Sequence, residues 1–154
     1  MYKWAVRRMI RRNVAALNAG EMGPTLAMFH DGAELSFPGG NTWSRQFREP
    51  ELGRDRFVTH RGRGEIGAFL QRFVDTGLQM AVEDVLVNGP PWRMRAAVRV
   101  RDWVPDPRGG SDRYCNRAVL WVTARWGKIL TQEDFEDTER VAAFDAVERE
   151  QQAP

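Results

Sequence analysis

From Asp112 to Trp126 polar and apolar residues alternate, the chain turns at Gly127-Lys128, and the run continues from Ile129 to Thr138. Alternation puts one face of each strand in a core and the other in water. The first of these strands is about 14 residues long, against a usual five or six. Long curved strands after a helical first half predict a sheet wrapped around helices to enclose a pocket. Upstream, Arg93, Arg95, Arg99 and Arg101 share one face of a strand over 93–104, and Met94, Ala96, Val98, Val100 and Asp102 share the other. Leu78, Met80 and Val82 alternate, then Val85 and Val87 resume one step out of phase. That slip predicts a bulge near Glu83-Asp84, which bends a strand.

A period near 3.6 marks the helices. Over residues 2–18, Val6, Met9, Ile10, Val14 and Leu17 fall on one face, with Arg7, Arg8, Arg11 and Arg12 mostly on the other. Asn18-Ala-Gly20 ends this helix. Pro24 opens a short helix through Phe29. Ile66, Phe69, Leu70, Phe73 and Val74 make a stripe over 65–75, closed by Gly77. Residues 33–37 read as a strand, 44–62 as a long polar loop, and 139–150 as a last helix capped by Asp137 or Thr138. The order is α, α, β, α, then four closely connected strands. It predicts an α+β fold, a cone-shaped curved antiparallel sheet around three helices of the N-terminal half. The chain reads as one domain over 1–154, with 139–154 as a C-terminal helix and tail.

Composition narrows the partners. Hydrophobic residues make up 42% and charged residues 29%, which is ordinary for a globular domain. Net charge is only +2, so nucleic acid is disfavoured. Among the basic residues only Lys3 and Lys128 are lysines, a bias that fits base composition of the coding DNA better than anion recognition. The arginine stripe on 93–101 reads as the outer, solvated face of the sheet. One cysteine, Cys115, precludes an internal disulfide and suits a reducing cytoplasm. No run approaches the roughly 18 apolar residues of a membrane span, and no secretory h-region is evident.

Several segments in this order resemble a known family. They are Leu17-Asn-Ala-Gly-Glu21, Phe37-Pro-Gly39 with Trp43, Gly64-Glu-Ile-Gly-Ala-Phe-Leu70, and Trp126-Gly-Lys-Ile129 followed by Asp134 and Glu136-Asp137. Over nearly the whole chain the sequence resembles nuclear-transport-factor-2-like proteins, in particular the SnoaL-like and ketosteroid-isomerase-like members. The resemblance implies a cone-shaped pocket, a homodimer and small, largely apolar ligands. Its members include isomerases, cyclases, epoxide hydrolases and dehydratases, so the fold does not fix the reaction.

With the arginine-bearing faces outward, Tyr114, Asn116 and Asp102 point into the pocket. The family's Gly-Lys-Ile pattern implies that Asp134 points inward with Gln132 and Leu130. Asp134 is the acid/base candidate, because burial in an apolar cone would raise its pKa toward neutrality. Tyr114 and Asn116 could polarise a carbonyl, and His60 could wall or cover the pocket. Phe37, Trp43, Phe73 and Trp126 are candidate apolar lining, with Asp102 as a further ligand contact. A turn centred near Arg108 would put Asp102 opposite Tyr114, six residues or roughly 20 Å from Leu120, the expected partner of Asp134. Ala96 would then be the residue nearest Asp134. On that reading Asp102 and Asp134 do not pair. The Arg-x-Asp that the epoxide-hydrolase branch carries on this strand is replaced at the inward positions by Met94 and Ala96. His30 and His60 with scattered acids make no metal site, and no cofactor is expected. The sequence leaves two main functions open, cofactor-free acid/base chemistry on a small apolar carbonyl compound or a non-catalytic ligand-binding or dimerisation domain, with anion or nucleic-acid binding through the arginine stripe as a third, less favoured reading.

Overall fold

The computed structural model describes residues 2–39, 41–44, 46 and 57–152. Helix α1 spans Tyr2–Asn18, α2 Gly23–Leu26, α3 Gly62–Asp75 and α4 Thr138–Gln152. The strands are β1 Phe29–Pro38, β2 Phe57–Arg61, β3 Gln79–Asn88, β4 Met94–Val104, β5 Tyr114–Arg125 and β6 Lys128–Glu136. They form one curved, open sheet in the order β2-β1-β6-β5-β4-β3. All neighbours are antiparallel except β1 and β6, the first and last strands, which run parallel.

Helix α1 is anchored at its C-terminal end. The Asn18 amide donates to the Met80 carbonyl at 2.8 Å and its Oδ1 accepts from the Met80 N–H at 2.9 Å, which ties the helix to β3. Gly20 then takes φ +84°, the left-handed stop expected of glycine. Ile66, Phe69, Leu70 and Phe73 are the buried stripe of α3, and they meet Leu35 and Phe37 of β1 in the core. The bulge lies between Val82 and Asp84 of β3. It presents Glu83 to Arg99 at 3.1 Å and Arg117 at 3.8 Å, so part of the arginine stripe is neutralised on the outer face.

Five features depart from the sequence reading. The short second helix stops at Leu26, and β1 begins at Phe29 rather than Ala33. Within the expected loop, 57–61 forms β2, where Val58 and His60 are the buried alternates; residues 47–56 lie outside the described residues. The β4–β5 turn centres on Gly109, so Asp102 pairs with Asn116 and Val104 with Tyr114. Moving the centre by one residue moves every pairing by two, and Val98, not Ala96, faces Leu120. Finally, the β5–β6 register shifts between Thr123 and Ala124. That shift leaves Leu130 exposed and turns Ile129 inward instead.

Candidate functional site

The open end of the sheet, α3, and α4 enclose a chamber of about 80 Å³. Leu35, Phe37, Trp43, Phe69 and Phe73 form its apolar wall, and Val141 and Phe144 of α4 close it. Three carboxyl groups enter from three successive inward positions: Asp102 on β4, and Asp134 and Glu136 on β6. Their placement follows from register. Asp134 pairs with Leu120, Glu136 with Ala118 and Asp102 with Asn116. Along β5 these partners step by two residues, so Asp102 and Asp134 are offset by four, roughly 13 Å of strand, with Glu136 between them. The expected six-residue separation is therefore corrected. The acids share one chamber and feel one another's charge.

Burial dominates their protonation. It raises Asp102 to about 6, against the opposing effect of a backbone hydrogen bond and one from Tyr114. Burial raises Asp134 to about 7; the Gln132 amide, donating to Oδ1 at 2.9 Å, lowers it and the Asp102 charge raises it. Glu136 rises to about 9, through burial first and then the charges of Asp134 and Asp102. The Tyr114 phenol is also pushed up by burial and by the charges of Glu136 and Asp102, so it stays a neutral donor. Because the three acids interact, their protons leave in steps that belong to the cluster. One oxygen of Asp102 and one of Glu136 is buried without a hydrogen-bond partner among the described residues.

Asn116 organises this end of the site. Its amide donates to the Tyr114 hydroxyl at 3.0 Å, to Glu136 at 3.4 Å and to the Asp137 carbonyl at 3.1 Å. Asn116 itself stands behind the wall as the partner that sets the orientation of Tyr114 and Glu136. Asp137 Oδ1 caps α4 by accepting from the Glu139 N–H at 3.1 Å, so the helix that closes the chamber starts next to the acids.

Of the residues singled out from sequence, Asp134, Asp102, Tyr114, Phe37, Trp43 and Phe73 all line this chamber. Two do not. His60 is fully buried with its ring 5.0 Å from that of Phe69, and it packs behind the wall because β2 hydrogen-bonds beside β1. Trp126 is 66% exposed. It occupies the β5–β6 turn with φ +51°, next to Gly127 at +79°, and its ring lies 5.8 Å from that of Trp92.

Two residues escaped sequence reasoning. Glu136 is the most perturbed acid, and the inward period that selects Asp134 also selects it. Asp145 is a buried acid on α4, bonded to the Thr42 hydroxyl and paired with Arg72 at 3.7 Å and Arg149 at 3.5 Å. Arg72 in turn lies 4.5 Å over the Trp43 ring and donates to the Thr42 carbonyl at 2.9 Å. This cluster latches α4 against α3 and the segment that carries Trp43. Only the spacing Asp145–Arg149 was visible in advance.

Among the described residues, no group of three or more His, Cys, Asp or Glu is arranged to hold a metal, and no helix is long and apolar enough to cross a membrane. Solved structures share the fold. TerC co-crystallised with polyporic acid is 22% identical, with a TM-score of 0.67 over 90% of this chain and 96% of that one. An NTF2-like protein from Burkholderia xenovorans LB400 is 18% identical, with a TM-score of 0.57 over 90% and 93%. A candidate ketosteroid isomerase from Kribbella flavida DSM 17836 is 19% identical, with a TM-score of 0.58 over 85% and 76%. No curated protein matches the sequence. The model of the SnoaL-like domain matches residues 10–132, and the chain belongs to that family.

Proposed function

We propose that the acid-lined chamber carries out cofactor-free proton transfer on a small, largely apolar molecule bearing a carbonyl, as in an isomerisation, cyclisation or dehydration. The observation that supports this is the spread of protonation around neutrality in one apolar chamber. Groups whose environments push their pKa values apart are suited to opposite roles. Near pH 7 Asp134 is partly ionised and serves as the base, removing a proton next to the carbonyl. Glu136 stays protonated and, with the Tyr114 hydroxyl, donates to the oxygen on which charge develops. Asn116 positions those two donors. Asp102, with the lowest pKa, carries the negative charge that helps keep Glu136 protonated. Val141 and Phe144 exclude water, and Asp134 returns the proton at the neighbouring carbon.

Epoxide hydrolysis is the less favoured chemistry. The β4 residue level with Asp134 across Leu120 is Val98, with Ala96 and Val100 as its inward neighbours, so the places of the Arg-x-Asp pair beside Asp134 are taken by apolar residues. The small volume of the chamber favours a second reading, a ligand-binding domain without catalysis. The two separate in a deuterium-exchange assay with small β,γ-unsaturated ketones in heavy water. Catalysis is expected in the wild type, with Asp134→Asn slower by about 100- to 10,000-fold. Exchange in the wild type no faster than in buffer, or unchanged in Asp134→Asn, would reject the enzymatic reading.

Cysteine usage supports a cytoplasmic location, with Cys115 free and exposed. The family resemblance and an outer-face strip of exposed Val119, Trp121 and Phe135 support pairing with a second copy of the chain.

A further inference from the structure

A second cavity of about 130 Å³ lies beneath α1, roofed by Val6, Met9, Ile10 and Val14. It continues the first along the inner face of the sheet. On β4 the acid chamber takes Val100 and Asp102, and the second takes Met94, Ala96 and Val98. On β5 the division falls at Leu120, which belongs to both, as does Gln132 on β6. Exposure singles out this partition. From Tyr114 to Ala124 every inward residue of β5 is buried except Leu120, which is only partly buried, and Gln132 is partly buried too. Of the polar groups under α1, Asn13 Oδ1 is buried without a hydrogen-bond partner among the described residues, while the Asn13 amide and the Thr25 hydroxyl are engaged. The Asn13 amide donates to the Pro24 carbonyl at 3.4 Å, and the Thr25 hydroxyl donates to the Asn13 carbonyl at 3.2 Å.

Size then decides the ligand. Each cavity is smaller than the roughly 150 Å³ that accommodates one benzene molecule, so a larger ligand that stays inside the fold has to occupy both. From Asp102 to Met94 the walls run eight residues of β4, roughly 26 Å. We infer that the ligand is an elongated amphiphile, with its oxygen-bearing head among Asp102, Asp134 and Glu136 and an unbranched hydrocarbon tail passing Leu120 and Gln132 into the cavity beneath α1. Only the placement of the head rests on the proton-transfer reading. Gln132 stands at the partition, lining both cavities while its amide donates to Asp134 Oδ1 at 2.9 Å.

The test is calorimetric binding of straight-chain 2-alkanones, from 2-butanone to 2-undecanone, to the wild type and to Ala96→Leu and Ala124→Leu. Burying each methylene is expected to tighten binding roughly fourfold in the wild type until the second cavity is full. The two variants, which fill that cavity, are expected to bind 2-butanone as the wild type does and to stop gaining several carbons earlier. A wild-type series that is flat beyond the shortest ketones overturns the inference without reliance on any variant. So does an unchanged chain-length profile in variants that melt as cooperatively as the wild type. Chemistry fails separately: a chain-length profile without exchange activity rejects the proton-transfer reading and retains the tail site.

Discussion

Asp134, Asp102 and Glu136 make the protein's stability a function of pH. Unfolded carboxyls titrate near 4, whereas these do so at about 7, 6 and 9. The folded state therefore holds more protons across that interval. Their contribution to stability is full below about pH 4 and is lost as pH rises toward 9. A melting temperature that declines from pH 5 to pH 9 is the expected signature. Glu136→Gln removes the highest titration and is expected to add about 1–3 kcal/mol at pH 9 while leaving stability at pH 5 little changed, as denaturant melts at the two values would report. The rate should follow a bell, rising as Asp134 ionises near 7 and falling as Glu136 ionises near 9. The inward period made Tyr114 and Asp102 legible in the sequence, and the family's Gly-Lys-Ile pattern pointed to Asp134. What hid the cluster was a single residue in the position of the β4–β5 turn, which pattern alone leaves free.

At the scale of elements, α4 and the turns carry the sharpest consequences. Asp145 is the group through which α4 is held to Arg72 and Thr42. Asp145→Ala leaves a partly buried guanidinium without its partner and is expected to cost about 3 kcal/mol, read as a lower denaturant midpoint. Loosening α4 is also expected to speed ligand release, since Val141 and Phe144 move with it. At Gly89, φ is +81° and a β-carbon would lie 2.3 Å from the Arg93 carbonyl oxygen. Gly89→Ala is expected to lose about 2–3 kcal/mol by the same measurement. Helices α1 and α3 and strands β3 to β6 were readable because their apolar periods are long. β2 was not: its two apolar residues, Phe57 and Val58, are adjacent, and its second buried alternate is His60, so five residues offered no apolar alternation.

For the whole molecule, the two faces of the sheet divide the labour. The inner face holds the acids and the apolar cavities. The outer face holds the arginine stripe beside Val119, Trp121 and Phe135, with Val119 and Phe135 directly paired across β5 and β6. If that strip joins two copies, Trp121→Glu is expected to convert a dimer to a monomer in native mass spectra without altering ketone binding. A wild type that is monomeric at micromolar concentration would reject the pairing. The overall architecture was legible because element order and the segment from Gly64 to Leu70 survive in the sequence. The parallel contact between β1 and β6 was not, since nothing in either strand encodes which distant strand it meets. That contact has a consequence for how the chain acquires its shape. β1 is made early, yet one of its two edges has no partner until residues 128–136 have left the ribosome, so a newly made N-terminal half carries an open strand edge for most of synthesis. Closure of the sheet is then a late, long-range step that slows folding, and truncation before β6 should yield an aggregating fragment rather than a smaller domain.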